Sequence, residues 1–222
     1  MNMLPPSQFF PPAEQAGPEG LVALGGRLSP AWLLDAYSHG IFPWPHSDID
    51  DPMLWFSPDP RAVIELEHLH VSRRLAQTLR GGKFTATCDR DFAGVIHGCG
   101  HAPGRKGHTW LTPRMVRAYT RMHELGHAHS VEAWHEGRLA GGVYGIAIGG
   151  LFAGESMFHA VRDASKVALV HLVERLRARG YALFDIQQLT PHTERMGAIE
   201  IPRAEYLDRL AAALALSVTF GA

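Results

Sequence analysis

Three short segments place polar side chains inside otherwise apolar runs. Gly154-Glu155-Ser156-Met157-Phe158 sets a carboxylate among small and bulky residues, and Phe184-Asp185-Ile186-Gln187 sets an acid and an amide two positions apart. On a strand that spacing brings both to one face. Gly107-His108-Thr109-Trp110 puts an aromatic in a loop ahead of a helix N-terminus. An unpaired buried polar group costs about 1–3 kcal/mol, so Asp185 and Gln187 must find partners. They could accept a proton and orient a nucleophile, or cap neighbouring helices, or meet an arginine. His123-Glu124-Leu125-Gly126-His127 spells a literal H-E-x-x-H. In zinc peptidases both histidines lie on one face of a continuous helix. Here Gly126 is a natural helix stop and a two-residue period starts directly after it, which puts His127 in a turn or strand. The spacing predicts turn packing and hydrogen bonding for these histidines, with a zinc metallopeptidase as the alternative.

The elements that must position these groups can be read from periodicity and punctuation. Ser29-Pro30 opens a helix carrying Trp32, Leu33, Ala36 and Tyr37 on its apolar face and ending at Gly40. The prolines from residue 40 to 61 argue against a regular element there. Ala62–Leu66 reads as a strand, Ser72–Leu79 as a helix, Lys83–Thr87 as a strand and Asp91–His97 as a short helix. Thr112-Pro113 starts another helix, closed by Gly126. Strands follow at Ser130–His135, Leu139–Ile148 and Leu151–Phe158, with turns at Glu136-Gly137 and Gly149-Gly150. A helix from Ala164 to Arg179, with Asp163 as N-cap, precedes a strand at Ala182–Gln187 and a last helix near Pro202. A meander followed by strand–helix–strand argues an α+β fold. A soft boundary near residue 60 divides the chain into 1–60 and 61–222.

The 222 residues carry 21 Lys and Arg against 22 Asp and Glu, which argues against broad non-specific nucleic-acid binding. A local basic patch remains compatible with that balance. A 46% hydrophobic content supplies a core, and no apolar run is long enough to span a bilayer. The N-terminus lacks the charged and apolar regions of a signal peptide. Two cysteines without C-x-x-C spacing, Cys88 and Cys99, read as thiols of a soluble, cytoplasmic protein.

Longer motifs make a family resemblance. GLVALGGRLSPAWLLDAYSHGIFPW, LWFSPDPRAVI, GHTWLTPRMVRAY, MHELGHAHSVEAW, LAGGVYGIAIGGLFAGESMF, ASKVALVHL and FDIQQLTPHTERMGAIEIPR occur in one order from about Gly20 to Leu210. The chain resembles the bacterial leucyl/phenylalanyl-tRNA–protein transferases. Two positions depart from the usual pattern: Ile186 stands where a Cys or Thr is common, and His108 where Gly is common.

The resemblance implies a small N-terminal domain followed by an acetyltransferase-like (GNAT-like) mixed-sheet domain. It also implies transfer of Leu, Phe or Met from aminoacyl-tRNA to the α-amine of proteins starting with Lys or Arg, creating an N-degron. Aminolysis of an activated ester calls for no cofactor and no metal. Asp185 and Gln187 would then orient the incoming amine, with Asp185 accepting a proton, and Glu155 would hold the α-amino group of the transferred residue. Val143, Met157, Leu169, Leu172, Leu176 and Phe184 match the amino-acid pocket. Trp44 and Trp110 match stacking surfaces for the tRNA 3′-adenosine. Arg73, Arg74, Arg80, Lys83, Arg105 and Lys106 are expected at acceptor-stem phosphates, on a monomer without membrane attachment. An acyl-CoA N-acetyltransferase of the same fold is a further alternative. It would need a Gly-rich pyrophosphate loop opening a helix, which the sequence lacks.

Overall fold

A computed structural model of the chain describes residues 4–44, 52–101 and 111–221. A small sheet of β1 (Leu21–Leu24), β2 (Phe42–Pro43) and β3 (Leu54–Phe56) forms with α1 (Pro30–Ser38) inserted between its first two strands. Its order is β1-β3-β2. Strands β2 and β3 lie in the segment whose prolines argued against regular structure. Pro43 is tolerated because β2 is an edge strand, pairing only with β3, where a missing N–H costs no ladder bond. Helix α1 begins as its residue types dictate, with the Ser29 hydroxyl accepting the Trp32 N–H and Pro30 in the first turn.

The main sheet has seven strands in the order β10-β4-β9-β8-β7-β6-β5. They are β4 (Arg61–Ile64), β5 (Thr85–Cys88), β6 (Ala128–His135), β7 (Arg138–Ile148), β8 (Leu151–His159), β9 (Leu183–Gln187) and β10 (Ala198–Ile201). All neighbours are antiparallel except β8 and β9, which are parallel and joined through α5 (Ala164–Arg179). The β6–β7 turn falls at Glu136-Gly137, both at positive φ (52° and 72°), which matches the right-handed twist of the flanking strands. This is an α+β molecule with a mixed sheet.

Alternating side chains divide the sheet between two cores. One face packs α1, α3 (Phe92–His101), α4 (Pro113–Glu124) and α7 (Arg203–Leu214), with Leu33, Val95, Met115, Tyr144 and Leu207 in one cluster. The other packs α5 and α2 (Arg73–Arg80), with Leu75, Val143, Phe152, Leu169 and Phe184. Helix α5 ends at Gly180 in the left-handed conformation, as glycine permits. Asp163 precedes it but makes no cap bond through its side chain. Its carboxylate instead pairs with Lys166 at 3.3 Å and Arg74 at 3.8 Å. The short helix α6 (Pro191–Glu194) and β10 lie between the strand and the last helix expected from the sequence.

Candidate active site

The main sheet comes apart where its polar groups lie. Strands β8 and β9 pair only through Leu151↔Leu183, Phe152↔Phe184 and Ala153↔Asp185. Just past this point Tyr144 pairs with Ser156 and Gly145 with Gly154, which leaves Glu155 as the extra residue of a bulge. On β9, Val63 pairs with Asp185 and Ala62 with Gln187, so Ile186 is extra too. Gln187 has φ 60°, a left-handed conformation that costs a non-glycine residue about 1–2 kcal/mol. Two bulges on adjacent strands bend them apart. Glycine is required at the first: a Cβ on Gly145 would lie 2.3 Å from the Ala153 carbonyl oxygen. Between the strands opens a cavity of about 360 Å³.

Glu155 and Gln187 meet at this cavity, with Gln187 Nε2 donating to Glu155 Oε1 at 3.1 Å. Tyr37 from α1 donates to the same oxygen at 2.7 Å, and Tyr119 from α4 donates to Oε2 at 2.8 Å. The two phenol oxygens also lie 2.6 Å apart. Two phenols hold two hydrogens for these three contacts. The third hydrogen is available when the carboxyl itself is protonated. Burial pushes the Glu155 carboxyl up to about 7, against the lowering effect of the Tyr37 and Tyr119 hydrogen bonds. Burial raises both phenols as well, and the Glu155 charge adds to that. A carboxyl poised near neutrality can give up its proton when a cation arrives.

Asp185 corrects the expectation of a proton acceptor in the cavity. Its side chain is fully buried and does not line the cavity. Oδ1 accepts from Arg61 Nε at 2.9 Å and from the Gln187 backbone N–H at 2.9 Å. Oδ2 accepts from Arg61 Nη2 at 2.7 Å and from Tyr206 at 2.9 Å. With four donors on two oxygens and a guanidinium against it, this carboxylate is fully engaged inside the fold. It holds the Gln187 backbone in its strained turn. The arginine partner was one of the readings left open by the sequence.

Four of the six residues matched to an amino-acid pocket stand at the cavity. Val143, Met157, Leu169 and Phe184 line the cavity, joined by Ile64 and Ile186. Leu172 and Leu176 do not; both are fully buried in the core between α5 and the sheet, one and two turns further along the helix. Trp44 stands at the cavity with 37% of its surface exposed. Trp110, Arg105 and Lys106 lie outside the described residues. Arg73, Arg74 and Arg80 are exposed on α2, and Lys83 is exposed just ahead of β5. Tyr37, Tyr119, Arg61 and Tyr206 were not read as site residues. Tyr37 and Tyr119 fit apolar helix stripes, and their hydroxyls give no signal in a periodicity.

The H-E-x-x-H segment is not carried on one helix. Helix α4 ends at Glu124 and Gly126 turns the chain with φ 78°. His123 Nδ1 lies 2.8 Å from the Ala128 carbonyl oxygen and its ring stacks on Phe92. Among the described residues no group of three His, Cys, Asp or Glu side chains is placed to hold a metal ion.

The chain is similar to known proteins over most of its length. Residues 63–211 match the family model described as Leucyl/phenylalanyl-tRNA protein transferase, and residues 26–59 match the N-terminal domain of the same family. The chain is 54% identical over 200 residues to the leucyl/phenylalanyl-tRNA–protein transferase of Nitratidesulfovibrio vulgaris (strain DP4), covering 90% of this chain and 85% of that protein. It is 52% identical over 202 residues to the protein of that name from Syntrophotalea carbinolica, covering 90% and 87%. Among solved structures, a GCN5-related N-acetyltransferase from Kribbella flavida is a distant likeness. It has a TM-score of 0.40 at 12% identity, covering 78% of this chain and 61% of that one. The protein is an aminoacyltransferase. It belongs to the leucyl/phenylalanyl-tRNA protein transferase family.

Proposed function

We propose that this enzyme moves Leu, Phe or Met from aminoacyl-tRNA to the α-amine of proteins that begin with Lys or Arg, and so creates an N-degron. The observation that carries the reading is one carboxylate, Glu155, set beside the Gln187 amide in a cavity that also has an apolar wall. An aminoacyl ester has a cationic α-amine and an apolar side chain, and these match the two parts of the cavity. Glu155 takes the ammonium, giving its proton up as it does so. Val143, Met157, Leu169 and Phe184 receive the side chain. Trp44 stacks on the terminal adenosine, and Arg73, Arg74, Arg80 and Lys83 neutralise acceptor-stem phosphates. Gln187 positions the incoming amine, while Asp185 and Arg61 hold Gln187.

The ester supplies the free energy for amide formation, so positioning of the amine provides much of the rate. Leu, Phe and Met share an unbranched Cβ, and the neck beside Glu155 and Gln187 selects for it. Residues 1–60 act as a small domain in front of the catalytic 61–222, in a cytoplasmic monomer. No helix among the described residues is long and apolar enough to cross a membrane.

Purified protein incubated with labelled Leu-tRNA should transfer Leu to peptides starting with Lys or Arg but not Ala, and chelator should leave the rate unchanged. Ile-tRNA should be used at least ~10-fold less well, the scale of discrimination an apolar pocket provides. Glu155→Ala should lose most of the activity. Equal use of Leu-tRNA and Ile-tRNA would refute the neck, and absence of transfer would refute the function.

A further inference from the structure

Ser165 has no part in the site described so far. It stands in the first turn of α5, is 4% exposed, and lines the cavity one turn before Leu169. Its hydroxyl makes no hydrogen bond among the described residues, yet it is not one of the side-chain atoms sealed inside the fold. A buried hydroxyl that opens only onto a cavity is a donor in need of an acceptor. Around it the charge is lopsided. Lys166, Arg162 from the β8–α5 connection and Arg74 from α2 lie 3.3, 3.9 and 3.8 Å from the single carboxylate of Asp163. No other carboxylate is within ion-pair distance of any of the three among the described residues. Asp163 gives α5 no side-chain cap, so the positive end of a helix of 16 residues adds to the surplus. Three cations sharing one anion beside a free hydroxyl suit a second anion.

The place of this corner along β8 selects the anion. His159 ends β8, lines the same cavity and leads into the connection to α5. At ~3.3 Å per residue, the strand puts about 13 Å between it and Glu155. In an aminoacyl nucleotide the α-nitrogen and the 5′-phosphorus are eight bonds apart, on the order of 10 Å when extended. We infer that Ser165, Lys166 and Arg162 seat the phosphodiester that precedes the terminal adenosine of the aminoacyl-tRNA. The Ser165 hydroxyl donates to a non-bridging oxygen, and Lys166 and Arg162 neutralise the charge. With the ammonium on Glu155 and the adenine on Trp44, this phosphate is the third point that fixes the ester in the cavity. Arg74 joins the seat to the exposed basic side chains of α2, where the phosphates further from the end continue.

The inference rests on the transferase reading, and the experiment separates the two. Wild-type transfer of Leu from Leu-tRNA to a Lys-starting peptide is measured first, since its absence sinks the transferase reading and this inference with it. Two small donors then replace the tRNA: 3′-O-leucyl-adenosine and its 5′-methylphosphate, which carries a phosphodiester. Wild type should show a kcat/KM at least ~10-fold higher with the phosphodiester, the scale of charge-assisted hydrogen bonds. Ser165→Ala and Lys166→Gln should each cut that preference to less than about threefold, and Lys166→Arg should keep it. The ratio is read on active molecules alone, so a poorly folded fraction lowers both rates and leaves it unmoved. Equal use of the two donors by wild type, or a preference that survives in Ser165→Ala or Lys166→Gln, overturns the assignment. A Ser165→Ala defect of equal size with both donors also overturns it, because that places the hydroxyl against the amino-acid side chain.

Discussion

Glu155 shows how one side chain can carry a cost in the free protein and a benefit in the complex. Its carboxyl is raised to about 7 in the fold, mainly by burial, from an ordinary value of 4.5. The folded chain therefore binds a proton that the unfolded chain releases, and stability falls as pH rises from about 4.5 through 7. Over that window the loss approaches ~3 kcal/mol, at 1.36 kcal/mol per unit. Urea melts at pH 5 and pH 8.5 should show this decline in wild type and a much smaller one in Glu155→Gln. A variant with the same pH dependence as wild type would contradict the assignment. The Asp185–Arg61 pair is the opposite case. Both groups are buried and mutually satisfied, and removing either partner leaves an uncompensated charge, typically worth 3–5 kcal/mol. The sequence put Asp185 and Gln187 on one face with Asp185 as the proton acceptor, because strand periodicity places side chains on faces and says nothing of what waits there. Arg61 lies 124 residues from Asp185 along the chain, and its pairing is a matter of tertiary structure.

At the scale of elements, the site is made by irregularities in β8 and β9 rather than by the strands themselves. The long helices and the meander were legible because their periods are sustained: α5 was placed at Ala164–Arg179 and is found there. The bulges at Glu155 and Ile186 were not, since an extra residue is defined only by the register of the partner strand. Gln187 illustrates the cost of such a device. Its backbone at φ 60° suits glycine, yet the position carries an amide that reaches Glu155. Gln187→Gly should keep or raise the melting temperature while lowering the transfer rate by ~10²-fold, since both strain and positioning go together. Thermal unfolding and single-turnover kinetics on one preparation test both halves; a loss of stability without loss of rate would reverse the argument.

Taken as a whole molecule, the site is shared between the N-terminal part and the main sheet. Tyr37 reaches Glu155 from α1, and the Gly40 carbonyl accepts from Arg61 Nη1 at 2.9 Å. One apolar cluster runs through both parts, from Phe10, Leu33 and Trp55 to Met115 and Tyr144. A fragment of residues 61–222 should therefore expose this cluster, bind a hydrophobic dye and fail to transfer Leu even at high tRNA concentration. A fragment with full activity would show that the N-terminal part is a passenger. The divergence of β8 from β9 has one more consequence. The gap follows from which backbone groups are bonded across the sheet, so its width is fixed before any substrate arrives. Helix α5 and the bulged strands face that gap from different sides, with Leu169 on the first and Glu155 and Gln187 on the second. Reshaping the helix side should alter which amino acid is carried and leave the bond-making apparatus untouched, so the two properties can drift, or be redesigned, separately.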